Sequence, residues 1–450
     1  MNRVFHSLLL AGACLLPSLA SAANIHVRPG ATGNNSGSDW ANAYTKLPTT
    51  LNRGDTYYLA NGSYGSYVFN TPNSGSVVVT LKKATEADHG STTGWASSYG
   101  DGQAVFTNWQ IYTDYYVFDG QRRNSDWNTG AVSQYGIRVA GTSPVRLDNG
   151  VGVGGDNLTF RYVDVQAGGR DTGNGDDVIY GLTGNSNLTF QYCALHDSDR
   201  VIFLMRGNWQ NLVVDHTYMA RNTSTPANHG ELLSMTDSTN VVWSNNVMED
   251  IEGTGFIVGI NGGTASNWKI FGNVFQHTSA YAADTGRKPG HNDGVTGVVY
   301  IANDASNNNT GNNFLFYNNT MVNLKGLWSG VIIQKGSGNE VRNNIWYGSV
   351  RTNTGGATTS NNWYYNTLAD GDGATTKVVC TTGCDVFKSI LGNDFALKVA
   401  VPGGAALGAP YSTDGKGLIR GADGSWDRGA YEFNASGTAA LQPPTSLTIH

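Results

Sequence analysis

Four stretches of this chain place cations, carboxylates and proton-transfer groups at what reads as one recurrent turn. They are His196-Asp-Ser-Asp199-Arg200, then Tyr218-Met-Ala-Arg221 running on to His229-Gly-Glu231, then Glu249-Asp250-Ile-Glu252, and an insertion carrying Tyr281, Asp284, Arg287, Lys288, His291 and Asp293. Arginines suit a carboxylate on a ligand, because the guanidinium presents a fixed fork of donors. The expected catalytic set is His229, Tyr218 and Arg200, with the histidine and tyrosine as base and acid. Arg206, Arg221, Lys288 and His291 are expected to bind the ligand. Glu231 heads an otherwise apolar run, Glu231-Leu-Leu-Ser-Met, where an unpaired charge is costly; it is expected to orient an arginine or to hold a cation. Asp197, Asp199, Glu249 and Asp293 offer the oxygens that Ca²⁺ prefers, although no contiguous calcium-loop motif is present. Asp176, Asp177, Asp197, Asp199 and Glu231 could instead supply the carboxylate pair of an acid–base hydrolysis.

Groups this far apart in sequence meet only if the chain coils. A segment of Asn followed by alternating apolar residues recurs at Asn157, Asn187, Asn211, Asn240, Asn267 and Asn313, with offsets of 30, 24, 29, 27 and 46 residues. A second apolar run follows each copy, as in Val201-Ile-Phe-Leu-Met and Phe256-Ile-Val-Gly-Ile. Short β-branched and aromatic strands repeated at this period predict a parallel β-solenoid, in which equivalent residues of successive coils stack about 4.8 Å apart. The pairs Asn245-Asn246, Asn318-Asn319 and Asn343-Asn344 then predict an internal asparagine ladder at a tight bend.

The sequence further predicts a signal peptide over residues 1–22, with Arg3, the apolar run from Leu8 and a cleavage site near Ala22, and hence a secreted or periplasmic protein. One β-helix domain is expected over 23–433, with irregular first coils, regular coils over about 157–363, a loosely wound cap over about 374–433 across the open end, and a mobile tail over 434–450. No later stretch is apolar enough to span a bilayer. With 34 acidic against 28 basic residues and no basic run, nucleic-acid binding is not expected. The protein is read as a monomer. Cys193 reads as a small buried hydrophobe, and Cys380 with Cys384 as candidates for a tight disulfide loop.

The opening Ile25-His-Val-Arg-Pro-Gly, the segment Arg53-Gly-Asp55-Thr-Tyr-Tyr-Leu-Ala-Asn61-Gly-Ser-Tyr64 and the closing Arg428-Gly-Ala-Tyr-Glu432-Phe carry a resemblance across nearly the whole chain. The protein resembles exported right-handed parallel β-helix proteins of the pectate-lyase-like superfamily. That resemblance implies an enzyme acting on an acidic polysaccharide, with β-elimination on alginate or another polyuronate as the leading expectation. Such a reaction needs a cation or Ca²⁺ to neutralise the substrate carboxylate, a base for the α-proton and an acid for the leaving oxygen. An inverting glycoside hydrolase is the alternative, and a non-catalytic glycan-binding or adhesive protein is another. For the last, Trp209, Trp243, Trp268, Trp328 and Trp346 would stack on sugars if exposed, although their place in the strand pattern favours the core.

Overall fold

The computed structural model describes residues 22–149, 154–224, 229–279, 297–301, 303, 308–324, 330–349, 356–365, 377–378 and 385–434. Residues 1–21, where a signal peptide is expected, the insertion with Lys288, His291 and Asp293, Trp328, Cys380, Cys384 and the tail beyond Asn434 lie outside them. Among the described residues no helix is long and apolar enough to cross a membrane.

Twenty-nine of the described strands join one hydrogen-bonded system, and the strand pairings within it are parallel. The chain is a right-handed parallel β-helix with three faces. The first sheet stacks Asn24–Val27, Thr56–Leu59, Val79–Lys83, Tyr116–Asp119, Leu158–Arg161 and Ser186–Gln191, then the second halves of Phe203–Asp215 and Leu233–Ser244, then Thr264–Phe271, Thr310–Tyr317 and Glu340–Arg342. The second stacks Ile137–Ala140, Val163–Gln166, Ala194–Ser198, Tyr218–Asn222, Val247–Ile251, Val274–Gln276, Thr320–Val322 and Ile345–Tyr347. The third stacks Val145–Arg146, Ile179–Gly181, the first halves of Phe203–Asp215 and Leu233–Ser244, then Phe256–Ile257, Val299–Ile301 and Val331–Ile333. The early coils are irregular: Gly62–Phe69 and Ala104–Ile111 pair across two register shifts, and the strand from Ala104 meets both Ile137–Ala140 and Val145–Arg146.

Stacking like on like fills the tube. Phe118, Phe160 and Phe190 occupy one column, with ring centroids 4.9 and 4.5 Å apart and planes within 25° and 4° of parallel. Trp209, Trp243, Trp268 and Trp346 are all buried, as is the free thiol of Cys193. These tryptophans are core, so they offer no sugar platform.

The bend from the first to the second sheet is held by asparagines in two ways. Asn245, Asn318 and Asn343 sit at φ of 56°, 52° and 58°, the left-handed region that asparagine tolerates better than most residues. Their successors point inward and form the ladder. Asn273 accepts from the backbone N–H of Asn246 at 2.9 Å, Asn319 from that of Asn273 at 3.1 Å, Asn344 from that of Asn319 at 2.8 Å, and Asn362 from that of Asn344 at 3.0 Å. A second ladder, on the surface, joins the repeat-opening residues: each of Asn187, Asn211, Asn240, Asn267 and Asn313 donates its amide to the side-chain oxygen of the preceding copy at 2.8–3.2 Å.

The C-terminal segment is a cover laid along the flank of the tube. Val386, Phe387, Phe395, Leu397 and Tyr431 pack on outward residues of the second sheet, among them Ala194, Val247, Ile345 and Trp363. Tyr411 and Trp426 pack on Val213, Val242, Phe271 and Tyr317 of the first. The difference from a lid across the end has a simple cause: the outer faces of these sheets are themselves apolar and need burial. The closing motif fastens the cover to three successive bends. Arg428 donates to the carbonyl of Asn362 at 3.1 Å, the N–H of Gly429 to that of Asn343 at 2.8 Å, and the N–H of Ala430 to the Thr320 hydroxyl at 2.8 Å.

Candidate functional site

The recurrent turn leads from the second sheet to the third, and the structure distributes its charged residues over two different faces. Each face holds its own network.

On the second sheet, His196 is buried with Nε2 2.8 Å from Asp164 and Nδ1 2.6 Å from Asp197. Both ring nitrogens face carboxylates, which calls for the imidazolium, and although burial opposes the charge the two partners push its pKa up. Arg221 donates to Asp197 at 2.7 Å and to the Tyr218 hydroxyl at 3.1 Å. Burial would raise Asp197, but His196 and Arg221 hold it well below the usual carboxylate range. Tyr218 is fully buried and donates to Glu249 at 2.9 Å; burial pushes its phenol far above the ordinary value. Glu249 also accepts from Gln276 at 2.6 Å and from Asn393 of the cover at 2.7 Å. Tyr218 was expected to carry a proton to or from a ligand, and Arg221 to bind one. The structure instead buries Tyr218 under the C-terminal cover, while Arg221, its side chain 27% exposed, is engaged by Asp197 and the Tyr218 hydroxyl.

In the turn itself Asp176 and Asp199 face each other. The N–H of Asp176 reaches Asp199 at 2.8 Å, and that of Asp199 reaches Asp176 at 3.2 Å. Burial, then the hydrogen bond to Asp199, pushes Asp176 up to about 6. Asp199 is further held by Thr172 and the N–H of Asn174. The carboxylates expected as Ca²⁺ ligands are thus divided. Asp197 and Glu249 serve the second-sheet network, Asp199 serves the turn, and Asp293 is outside the described residues. Among the described residues no three His, Cys, Asp or Glu side chains converge on a metal position.

The third-sheet face gathers a different set. Register aligns Asp177, Val201 and Glu231 at the heads of successive strands. Arg200 grips Asp177 with two hydrogen bonds, the one from Nε at 2.8 Å. Burial raises the Asp177 carboxyl and the guanidinium opposes that rise. Arg206 projects beside them, anchored by Nη1 to the carbonyl and hydroxyl of Ser234 at 2.9 and 3.1 Å. Glu231 is almost wholly buried, and burial pushes it up to about 7 against the pull of Arg206 and Arg200. His229 stands half-exposed at the rim with Nδ1 4.0 Å from Glu231 Oε1. Four expected site residues, Arg200, Arg206, His229 and Glu231, therefore share one face. Tyr180 and Arg146 join them from the preceding coils, with the Arg146 guanidinium 4.9 Å from the Tyr180 ring centroid. The signal for these two was present in the alignment of the second apolar runs, where the residue after Ile179 must point outward.

This arrangement can bind an anion on Arg206, move a proton at His229, and adjust both through a carboxyl that changes charge near neutrality. No protein-family model matches the chain, and no curated protein matches it. Solved structures do. A mannuronic acid specific polysaccharide family 6 lyase from human gut microbiota is similar at 13% identity and a TM-score of 0.45, over 72% of each chain. Pectate lyase Pel9A is similar at 16% identity and a TM-score of 0.41, over 93% of this chain and 98% of its own. The Dettilon tailspike protein is similar at 10% identity and a TM-score of 0.31, over 75% and 60%. These likenesses are of coil architecture.

Proposed function

We propose that the protein is a polysaccharide lyase that cleaves a polyuronate by β-elimination on the outer face of the third sheet. The observation that carries this reading is the group of Arg206, Glu231 and His229 on one sheet face: an anchored cation, a buried carboxyl and a rim histidine whose Nδ1 lies 4.0 Å from it.

Arg206 takes the substrate carboxylate, which lets negative charge from the α-carbon spread into a neutralised group. His229 removes the α-proton, the bond from C4 to the leaving oxygen breaks as the C4–C5 double bond forms, and the imidazolium returns its proton to that oxygen. Glu231 is a positioning residue. Ionised, it faces Nδ1 and stabilises the imidazolium. Tyr218 has no part, since its hydroxyl is spent on Glu249 on another face.

A pH dependence follows from Glu231. Its carboxyl ionises at about 7, so kcat is expected to climb as pH rises through 7, and Glu231→Gln should lower kcat and remove that limb from the profile. The sign for stability is opposite. The folded state keeps this proton at pH values where the unfolded chain has released it, so this group's contribution falls as pH rises from 4.5 to about 7. A limb unchanged in Glu231→Gln would remove Glu231 from the mechanism.

The deciding experiment incubates purified protein with alginate, pectate and glucuronan, with Ca²⁺ or with EDTA, and follows the ultraviolet absorbance of the unsaturated uronate product. Growth of that absorbance on one polymer supports the reading and names the substrate. A second reading, inverting hydrolysis, draws on Asp177 and Glu231, whose backbones lie two rungs or about 9.6 Å apart, close to the roughly 6.5–9.5 Å used by such carboxyl pairs. New reducing ends without absorbance would select it.

A further inference from the structure

We propose that Arg146 is a specificity-determining residue of the same cleft, forming an outer subsite that recognises a second substrate carboxylate. The inference rests on the lyase reading of Arg206 and deepens it: the preferred substrate carries carboxylates on more than one sugar.

The outward column of the third sheet runs Gln110, Arg146, Tyr180, Leu204, Ser234, Ile257 on successive coils in register. Arg146 is therefore two rungs, about 10 Å, from the strand that carries Arg206, along the axis a glycan would follow. Three arginines around the recurrent turn have their charge taken up by a carboxylate: Arg138 by Asp164, Arg200 by Asp177, Arg221 by Asp197. Arg146 makes no such pair among the described residues. Its Nε donates to the carbonyl of Asp148 at 3.1 Å, and its guanidinium lies over the Tyr180 ring. The Asp148 carboxylate is turned elsewhere, onto the N–H of Leu182. One hydrogen bond and one aromatic face thus hold the guanidinium in a set orientation. Its two Nη groups have no carboxylate among the described residues. A preorganised planar fork of this kind matches a carboxylate and loses little freedom on binding it. Half-burial beside an aromatic ring also lowers the local dielectric, which strengthens that contact.

The test compares wild type with Arg146→Gln and Arg146→Lys on the polyuronate that the wild type cleaves and on oligomers of that polymer of decreasing length. Affinity for the polymer is measured in parallel on the His229→Ala protein, with and without the Arg146 change, across a range of NaCl concentrations. Loss of one charge-assisted contact should raise KM for the polymer about tenfold, with a much smaller change in kcat. The salt dependence of binding should slacken, Arg146→Lys should recover part of the loss, and the gap between variant and wild type should close on oligomers too short to reach the subsite. Wild-type KM and salt dependence in Arg146→Gln, with the wild type active, would overturn this inference and leave the lyase reading standing. A wild type that neither cleaves nor binds any polyuronate would overturn both. If Arg146→Gln fails to fold, the lysine variant carries the comparison, since it keeps the charge and loses the planar fork.

Discussion

Arg206→Ala is expected to lower kcat/KM on the cleaved polyuronate by about 10²–10³-fold, the loss found when one preorganised donor to developing charge is removed, and to leave the melting temperature within a few degrees of wild type. The reason lies in what Arg206 does at rest. It holds no carboxylate in a hydrogen-bonded pair among the described residues, and its contacts are to a carbonyl and a hydroxyl of Ser234. Glu231, the carboxyl that acts on it most strongly, can take up a proton when the guanidinium goes, so no unpaired charge is left in the interior. Losing that cation should move the Glu231 limb of the pH profile upward, an effect that a merely structural residue would not produce. Arg200→Ala offers the contrast. Asp177 is 1% exposed and Arg200 is its bidentate partner, so removing the arginine leaves a buried carboxylate alone and should cost about 3–5 kcal/mol of stability. Thermal melting and kinetics on both variants check the pair. An Arg206→Ala protein with wild-type kcat/KM would move the substrate carboxylate to another cation.

The division between these two arginines could not be read from the sequence. The coil was legible, since an Asn-apolar unit repeated at this period fits few architectures besides a solenoid. Two things were hidden. A turn between two sheets contributes side chains to both, and the residue that decides the face depends on left-handed positions such as Asp197 and Arg221, at φ of 61° and 55°, which no periodicity announces. The other is the cover. Val386, Phe395 and Tyr431 read as scattered apolar residues in an irregular segment, yet they bury the outer face of the second sheet and with it Tyr218 and Glu249. A tyrosine followed three residues later by an arginine looks like an exposed acid–base pair until the chain that lies over it is known. Arg146 and Tyr180 were missed for the converse reason. They stand in strands, where an outward residue attracts no notice unless the register of neighbouring coils is followed.

Asn319→Ala is expected to destabilise the fold by about 2–6 kcal/mol, because it strands at least two buried polar groups at about 1–3 kcal/mol each. The side chain of Asn319 makes four hydrogen bonds. It accepts from the N–H and the amide of Asn273 at 3.1 and 2.9 Å, and donates to the Ile270 carbonyl at 2.9 Å and to Asn344 at 3.1 Å. Asn273, Asn319 and Asn344 are fully buried, so water cannot replace what is lost. The backbone of Asn319 is not left-handed, and alanine meets no conformational penalty there; the whole effect belongs to the ladder. Asn313 provides the comparison. It stands in the surface ladder with φ of 55°, and Asn313→Gly keeps that conformation within reach while removing only one exposed bond at 3.1 Å, so its cost should stay within about 1 kcal/mol. Because each coil touches mainly its neighbours, the damage in Asn319→Ala should concentrate in the coils around residues 270–345, and amide hydrogen exchange should show protection lost there before the coils near Phe118 and Phe160. Equal melting of Asn319→Ala and wild type would mean that the bends are held by the packed aromatic column and the C-terminal cover, with the ladder adding little.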